Sequence, residues 1–205
     1  MIIIYNEKIK LIDIINLSKY RINNINQKNY YYIWNNKIKR LKKYYKDYYI
    51  NDNYDFNYFY EISKISLNIA KNINFNNLSY GITYNRFYDI NNIYDLYNKN
   101  KYHMGAIINS IVEYIKYSFF YFDSEEDIFL IDMLDLTNDD YMFLVARLIF
   151  PTYYFDIFNE KDINSKYKMI ISKIDSYNKY IKSIFIEIKK RHINMPFMDL
   201  IINQL

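Results

Sequence analysis

The chain has 205 residues and is mildly basic, with 27 Lys and Arg against 23 Asp and Glu, and it contains no cysteine. The lack of cysteine excludes disulfides, thiolate nucleophiles and cysteine-ligated zinc or iron–sulfur sites. The only two glycines, Gly81 and Gly105, are too few for the glycine-rich phosphate loops of ATP- and dinucleotide-binding proteins, and we expect no cofactor.

Periodic apolar residues predict two helices in the first part of the chain. Over residues 30–49, Trp34, Ile38 and Leu41 recur at helical spacing, and a weaker pattern of the same kind covers 56–73. An Asn-rich loop follows at 74–77. The stretch 79–104 has no clear period, so we expect loops there with at most a short β-hairpin.

The second part of the chain is more regular. A clear amphipathic pattern predicts a helix over 107–119, and the short apolar run 128–131 fits either a strand or a helix. Thr137 or Asn138 is expected to cap a helix that Pro151 ends or kinks, because proline lacks the N–H that continues a helix. The last predicted helix covers residues 166–190. Its apolar stripe would suit a coiled coil, but packing against its own domain is favoured.

These elements predict one mainly α-helical domain over residues 1–205. The most apolar long stretch, 141–155, is interrupted by Arg147 and Pro151 and is shorter than the roughly 20 residues of a membrane span. We therefore expect a buried core helix there, no membrane association and a cytoplasmic location. The run 1–5 is too short for a signal peptide.

Few side chains suggest catalysis. His103 and His192 have no acidic or histidine partner at helical spacing, so both are predicted to be surface or loop residues. The acidic run 125–127 is interpreted as a polar turn. Asp139 and Asp140 are interpreted as helix N-terminal charges, which the helix dipole favours. We predict no catalytic residue among them.

A basic run at residues 37–46 is the best candidate for binding nucleic acid. Lys39, Arg40, Lys42 and Lys43 could contact phosphates, with tyrosines nearby for base stacking. The alternative is a solvated helix face, and the amphipathic pattern favours it. The 27 tyrosines are spread along the whole chain, which indicates an AT-rich genome more than a stacking surface.

Four stretches, 34–38, 56–60, 111–116 and 146–156, lie in an order that suggests a family. The last one, Ala-Arg-Leu-Ile-Phe-Pro-Thr-Tyr-Tyr-Phe-Asp, is the most distinctive. In these stretches the chain resembles the kinase-like spore-coat proteins of the YutH and CotS type, which are similar to aminoglycoside phosphotransferases and choline kinases. The resemblance implies a helical C-terminal lobe over about residues 30–200 and a bacterial, spore-coat or related context. The residues before it are too few for an ATP-binding N-terminal lobe.

The resemblance also implies that the catalytic site is degenerate. The family's His-Gly-Asp loop corresponds to residues 79–83, where Tyr80 replaces the histidine and Ile82 replaces the aspartate. Isoleucine can neither orient a substrate hydroxyl nor bind Mg²⁺. Asp89 and Asp95 are the only nearby candidates for a metal-binding carboxylate, and neither lies in a recognisable motif.

Three functional hypotheses remain open. The first is an inactive kinase-like domain, a pseudokinase, that binds a protein partner. The second is a small-molecule phosphotransferase with divergent motifs, and the third is a helical nucleic-acid-binding protein that uses the basic run 37–46. The degenerate loop favours the first.

Overall fold

The computed structural model of the protein describes residues 9–22, 28–48, 54–84, 87, 93–157, 163–191 and 198–204. These residues form α1 (Leu11–Ser18), α2 (Tyr30–Tyr48), α3 (Tyr54–Lys71), β1 (Tyr80–Thr83), β2 (His103–Ala106), α4 (Ile108–Phe122), α5 (Asn138–Ile149), α6 (Thr152–Ile157), α7 (Ile163–Arg191) and α8 (Met198–Gln204). Short 3-10 helices cover Phe75–Asn77, Ile93–Tyr97 and Ile128–Met133. The predicted mainly helical fold with one small β element is confirmed.

The chain divides into two compact units, each made of two segments. The first unit comprises residues 1–28 and 76–140, and the second comprises 29–75 and 141–205. The division falls within α5. The single domain predicted for residues 1–205 stays a prediction.

In the first unit, α1 packs against α4 and against β1. The hydroxyl of Tyr114 on α4 donates a hydrogen bond to the carbonyl of Ile9, 2.6 Å away, just before α1. Most apolar side chains of both helices are buried, among them Ile14, Ile15, Ile111, Val112 and Ile115. Burial of these side chains is the main force that holds α1 to α4.

Helix α4 runs three residues beyond its predicted end at Phe119 and stops at Asp123. Asp123 adopts a left-handed conformation, with φ at 51°, and its N–H bonds to the carbonyl of Phe119 at 3.1 Å. Aspartate tolerates this conformation better than most residues because its short side chain can hydrogen-bond locally. The ambiguous run 128–131 forms a 3-10 helix, and the Asp127 carboxylate accepts the N–H of Phe129 at its start.

The second unit has an aromatic core. Trp34 on α2 stacks on Phe150 with ring centroids 4.6 Å apart and on Phe143 at 5.8 Å. Phe59 on α3 stacks on Tyr154. Such pairs add about 0.5–1.5 kcal/mol beyond the burial of their surface. The predicted apolar stripe that begins at Trp34 is therefore the packed face of α2.

Pro151 separates α5 from α6, as predicted, because α5 ends at Ile149 and α6 begins at Thr152. The apolar side chains of stretch 141–155 are mostly buried, which confirms the expected core helix. The predicted stripe of α7 packs within its own unit, against α6 and α8, and the Tyr177 hydroxyl donates to the carbonyl of Leu148 at 3.0 Å. None of the helices in the described ranges is long and apolar enough to cross a bilayer.

Candidate functional site at the two-stranded sheet

Strands β1 and β2 pair antiparallel at the place where the resemblance puts the catalytic loop. Ile82 lies opposite Met104, and Thr83 lies opposite His103. Directly opposed residues share a face of the sheet and consecutive residues alternate between faces. Tyr80 and Ile82, the two positions to which the resemblance assigns the family's histidine and aspartate, therefore share an apolar face. Thr83 and His103 lie on the other face.

Thr83 and His103 form a close polar pair. The Thr83 Oγ1 lies 3.0 Å from the His103 Nε2 and 3.2 Å from the His103 carbonyl oxygen. Gly105 leaves space for this pair, because a Cβ atom there would lie 2.9 Å from the Thr83 Oγ1. His103 was predicted to be a surface or loop residue. This was wrong, because it lies in β2 and is half-buried.

The chemistry open to this pair is limited by its burial. Burial of the imidazole, and then the charge of Lys28, lower the pKa of His103 below its ordinary value of 6.5. A neutral imidazole beside a hydroxyl is an arrangement that can activate a nucleophile. Thr83, however, has 0% of its surface exposed, so a substrate cannot reach its oxygen. The pair therefore serves to hold the two strands together.

Asp140 connects the start of β1 to the start of α5. Its carboxylate accepts hydrogen bonds from the N–H and the hydroxyl of Ser79, at 2.9 and 2.7 Å. It also accepts from the N–H and the hydroxyl of Thr137, both at 3.0 Å, while the Asp140 N–H donates back to the Thr137 hydroxyl. This reciprocal pattern is a capping box, so Thr137 is the N-cap. The buried carboxylate is thus occupied by structural bonds.

The two predicted metal candidates have different outcomes. Asp95 lies in the 3-10 helix Ile93–Tyr97 and forms an ion pair with Lys101, with 3.0 Å between Oδ1 and Nζ. Asp89 lies outside the described residues. Within the described ranges, no group of three or more His, Asp or Glu side chains is placed to hold a metal ion.

A segment from the N-terminal part of the chain lies along the other edge of β1. The N–H of Ile22 donates to the carbonyl of Tyr80 at 2.9 Å, and Arg21 forms a β-bridge with Gly81. The approach is so close that a Cβ on Gly81 would lie 2.7 Å from the carbonyl oxygen of Tyr20. The backbone of β1 is therefore contacted on both edges.

The basic candidates lie on α2 in the second unit. Lys39, Arg40, Lys42 and Lys43 are all exposed. Lys37, which begins the basic run, instead forms an ion pair with Asp156 and is 28% exposed. Unlike the four exposed cations, Lys37 is therefore half-buried and paired within the protein.

Exposed aromatic side chains at the end of α4 form a feature that the sequence analysis missed. The rings of Tyr121 and Phe122 both contact the ring of Tyr117, with centroids 5.3 and 5.2 Å apart. Tyr121 is 40% exposed and Phe122 is 47% exposed. The sequence did contain a sign of this feature, because Tyr121 and Phe122 extend the apolar run beyond the predicted end of the helix at residue 119. We call Tyr117, Tyr121 and Phe122 the α4 aromatic cluster.

Comparison with known protein families, with curated proteins and with solved structures finds no match for this chain. The resemblance to kinase-like spore-coat proteins therefore stays a prediction.

Proposed function

We propose that the chain is a catalytically inactive kinase-like domain that acts by binding a protein partner. The observation that carries this proposal is that residues 79–83 are engaged in hydrogen bonds within the fold. Ser79 is bonded to Asp140, and the backbone of β1 is contacted by β2 on one edge and by the segment around Ile22 on the other. A catalytic loop has to leave its polar groups available to a substrate.

Phosphoryl transfer needs one carboxylate to orient the substrate hydroxyl and another to hold the metal that bridges the phosphates. At the two matched positions, Tyr80 is buried and Ile82 lies opposite Met104 on the apolar face. The carboxylate of Asp95 already pairs with Lys101, whose charge disfavours a second cation. These contacts favour a binding function over transfer chemistry.

The α4 aromatic cluster is our candidate for the contact surface. Aromatic and methionine side chains are enriched at protein interfaces, and Phe129 and Met133 on the next helix are also exposed, at 40% and 48%. Between α4 and that helix, the chain carries the exposed acids Asp123, Glu125 and Asp127. The partner that fits is a protein with an apolar cleft bordered by Lys or Arg.

Nucleotide binding provides the first test. A ligand present at 100 times its Kd raises the free energy of unfolding by about 2.7 kcal/mol, which a thermal-unfolding assay detects easily. We expect Mg²⁺-ATP to leave the Tm unchanged. A Mg²⁺-dependent rise in Tm would contradict the proposal and support the divergent phosphotransferase.

Partner capture provides the second test. The wild-type chain and a Tyr121→Ser/Phe122→Ser variant are used as baits in extracts of the native cell, and the captured proteins are compared quantitatively. The matched control is Tyr94→Ser/Tyr97→Ser, because both of these tyrosines are exposed in the same unit, at 75% and 67%. We expect one protein to be lost with the cluster variant and kept with the control. Identical capture by all three baits would contradict the proposed surface.

A further inference from the structure

The outer face of α2 combines an aromatic ring, an amide and cations in one line. Tyr32, Asn36, Lys39 and Lys43 are all exposed and follow one another at steps of four, three and four residues. At 3.6 residues per turn, these positions fall within about 60° of the helix circumference. Trp34, Ile38 and Leu41 are buried on the opposite side. We call Tyr32, Asn36, Lys39 and Lys43 the α2 outer stripe.

The cations of the stripe lie in a stretch of α2 that contains no acidic residue. Arg40 flanks the stripe, and the helix carries no acidic residue before Asp47. Lys39, Arg40 and Lys43 form no ion pair with any side chain that the structure describes, which leaves out those of residues 44–55. Like charges at this spacing destabilise a helix by about 0.2–0.5 kcal/mol per pair. An anionic ligand would remove that repulsion.

From this geometry we propose that the α2 outer stripe binds single-stranded nucleic acid, a function beyond the protein contact proposed above. The rise from Lys39 to Lys43 is about 6 Å. Lysine side chains are long and flexible, so both ammonium groups can face the same backbone of a bound strand. Lys39 and Lys43 can therefore contact neighbouring phosphates of one strand.

Tyr32 supplies the reason to favour an unpaired strand over another polyanion. Tyr32 is 62% exposed, and its ring lies edge-on to the ring of Tyr31, with centroids 5.7 Å apart. An exposed, oriented ring can stack on an unpaired base, which contributes about 1–3 kcal/mol per base. Asn36 lies between the ring and the cations, where its amide can both donate to and accept from a base edge. An acidic peptide would use only the cations.

Lys42 belongs to a different part of the surface. Its Nζ lies 5.5 Å from the centre of the Tyr60 ring, and the Nζ of Lys64 lies 4.4 Å from the same ring. Lys42 lies outside the 60° sector of the stripe, on the flank opposite to Arg40. Of the four cations predicted from the sequence, we therefore expect Lys39, Arg40 and Lys43 to contribute more to binding than Lys42.

The test is fluorescence anisotropy of the full chain with labelled oligo(dT) and oligo(U) of about 12 nucleotides, within the usual range of single-strand site sizes. Three phosphate contacts predict that the logarithm of the binding constant falls with the logarithm of salt concentration with a slope of about −2. We expect Lys39→Gln/Arg40→Gln/Lys43→Gln to abolish that binding. The matched control, Lys168→Gln/Lys179→Gln/Lys190→Gln, removes three exposed charges from α7 in the same unit and should bind like the wild type.

Substitutions of Tyr32 distinguish base stacking from a general attraction between opposite charges. Tyr32→Ala should weaken single-strand binding by about tenfold, whereas Tyr32→Phe should bind normally. Circular dichroism checks that every variant is folded. The proposal is overturned if neither oligonucleotide binds, if both triple variants bind equally, or if a duplex or polyglutamate binds as tightly as the single strands. It is also overturned if Tyr32→Ala has no effect.

Discussion

The carboxylate of Asp140 accepts hydrogen bonds from both the N–H and the hydroxyl of Ser79, and with the two bonds from Thr137 it has four donors around it. Asp140 has 0% of its surface exposed. A buried carboxylate is costly unless such donors surround it. The start of β1 therefore depends on a side chain from the first turn of α5.

We expect Asp140→Asn to lower the free energy of unfolding by about 3 kcal/mol, because bonds to a charged acceptor are lost and a buried NH₂ group is placed against other donors. Urea denaturation followed by circular dichroism measures this change. Asp139→Asn is the matched control, since Asp139 is only half-buried and its carboxylate accepts a hydrogen bond from the side-chain amide of Asn77. Its effect should be smaller, about 0.5 kcal/mol. Equal effects would show that Asp140 has no special role.

The two glycines should differ in their tolerance of a side chain. A Cβ on Gly81 would lie 2.7 Å from the backbone carbonyl oxygen of Tyr20, whereas a Cβ on Gly105 would meet the hydroxyl of Thr83 at 2.9 Å. A backbone atom yields less readily than a side chain, so Gly81→Ala should destabilise more, by about 1–3 kcal/mol.

The control for this comparison uses the neighbour of Gly105. Adding Thr83→Ala to the Gly105→Ala variant removes the clashing hydroxyl, so the two changes together should cost less than the sum of their separate effects. Urea midpoints of the four proteins give the result. Additive effects, or a larger cost at Gly105 than at Gly81, would contradict the geometry.

His103 should make stability depend on pH. Burial, and then the charge of Lys28, hold the pKa of His103 in the folded state below its unfolded value of 6.5. At a pH between these two pKa values, the unfolded chain therefore binds more protons than the folded chain. The contribution of His103 to stability is therefore fully present above pH 6.5 and is lost as the pH falls through the folded pKa. His103→Gln should reduce the loss of stability on acidification. An NMR titration of the His103 ring with a midpoint at or above 6.5 would contradict this.

Trp34, the only tryptophan, reports on the second unit, where it is stacked on Phe150. If the chain is one domain, as its length predicts, then tryptophan fluorescence and far-ultraviolet circular dichroism should give the same urea midpoint. Phe150→Ala, which should cost about 3–5 kcal/mol, should lower both midpoints together. Two separate midpoints would show that the units unfold independently.

The long helices were predictable because their apolar residues repeat over several turns, as Ile170, Tyr177 and Ile184 do on α7. Helix α1 was not predicted. Its eight residues are too few to distinguish a helical period from a strand, and its helical state depends on packing against α4. Helix α8 is short in the same way.

The candidate site was only partly predictable. The sequence located the region around Tyr80 and Ile82, and it identified Lys39, Arg40 and Lys43 as a basic run. It could not pair Thr83 with His103, because the register of β1 on β2 is a contact between distant parts of the chain. It also could not show that Lys37 forms an ion pair with Asp156 and is therefore not part of the exposed basic surface.

The sequence by itself determined the helical class, the break at Pro151 and the absence of glycine-rich phosphate loops, because these follow from local periodicity, backbone chemistry and residue counts. Tertiary structure alone decided that Asp140 holds Ser79, that the segment around Ile22 lies along β1, and that Thr83 lies beside His103. Burial and hydrogen bonding between distant segments are properties of the packed chain, and no local pattern specifies them.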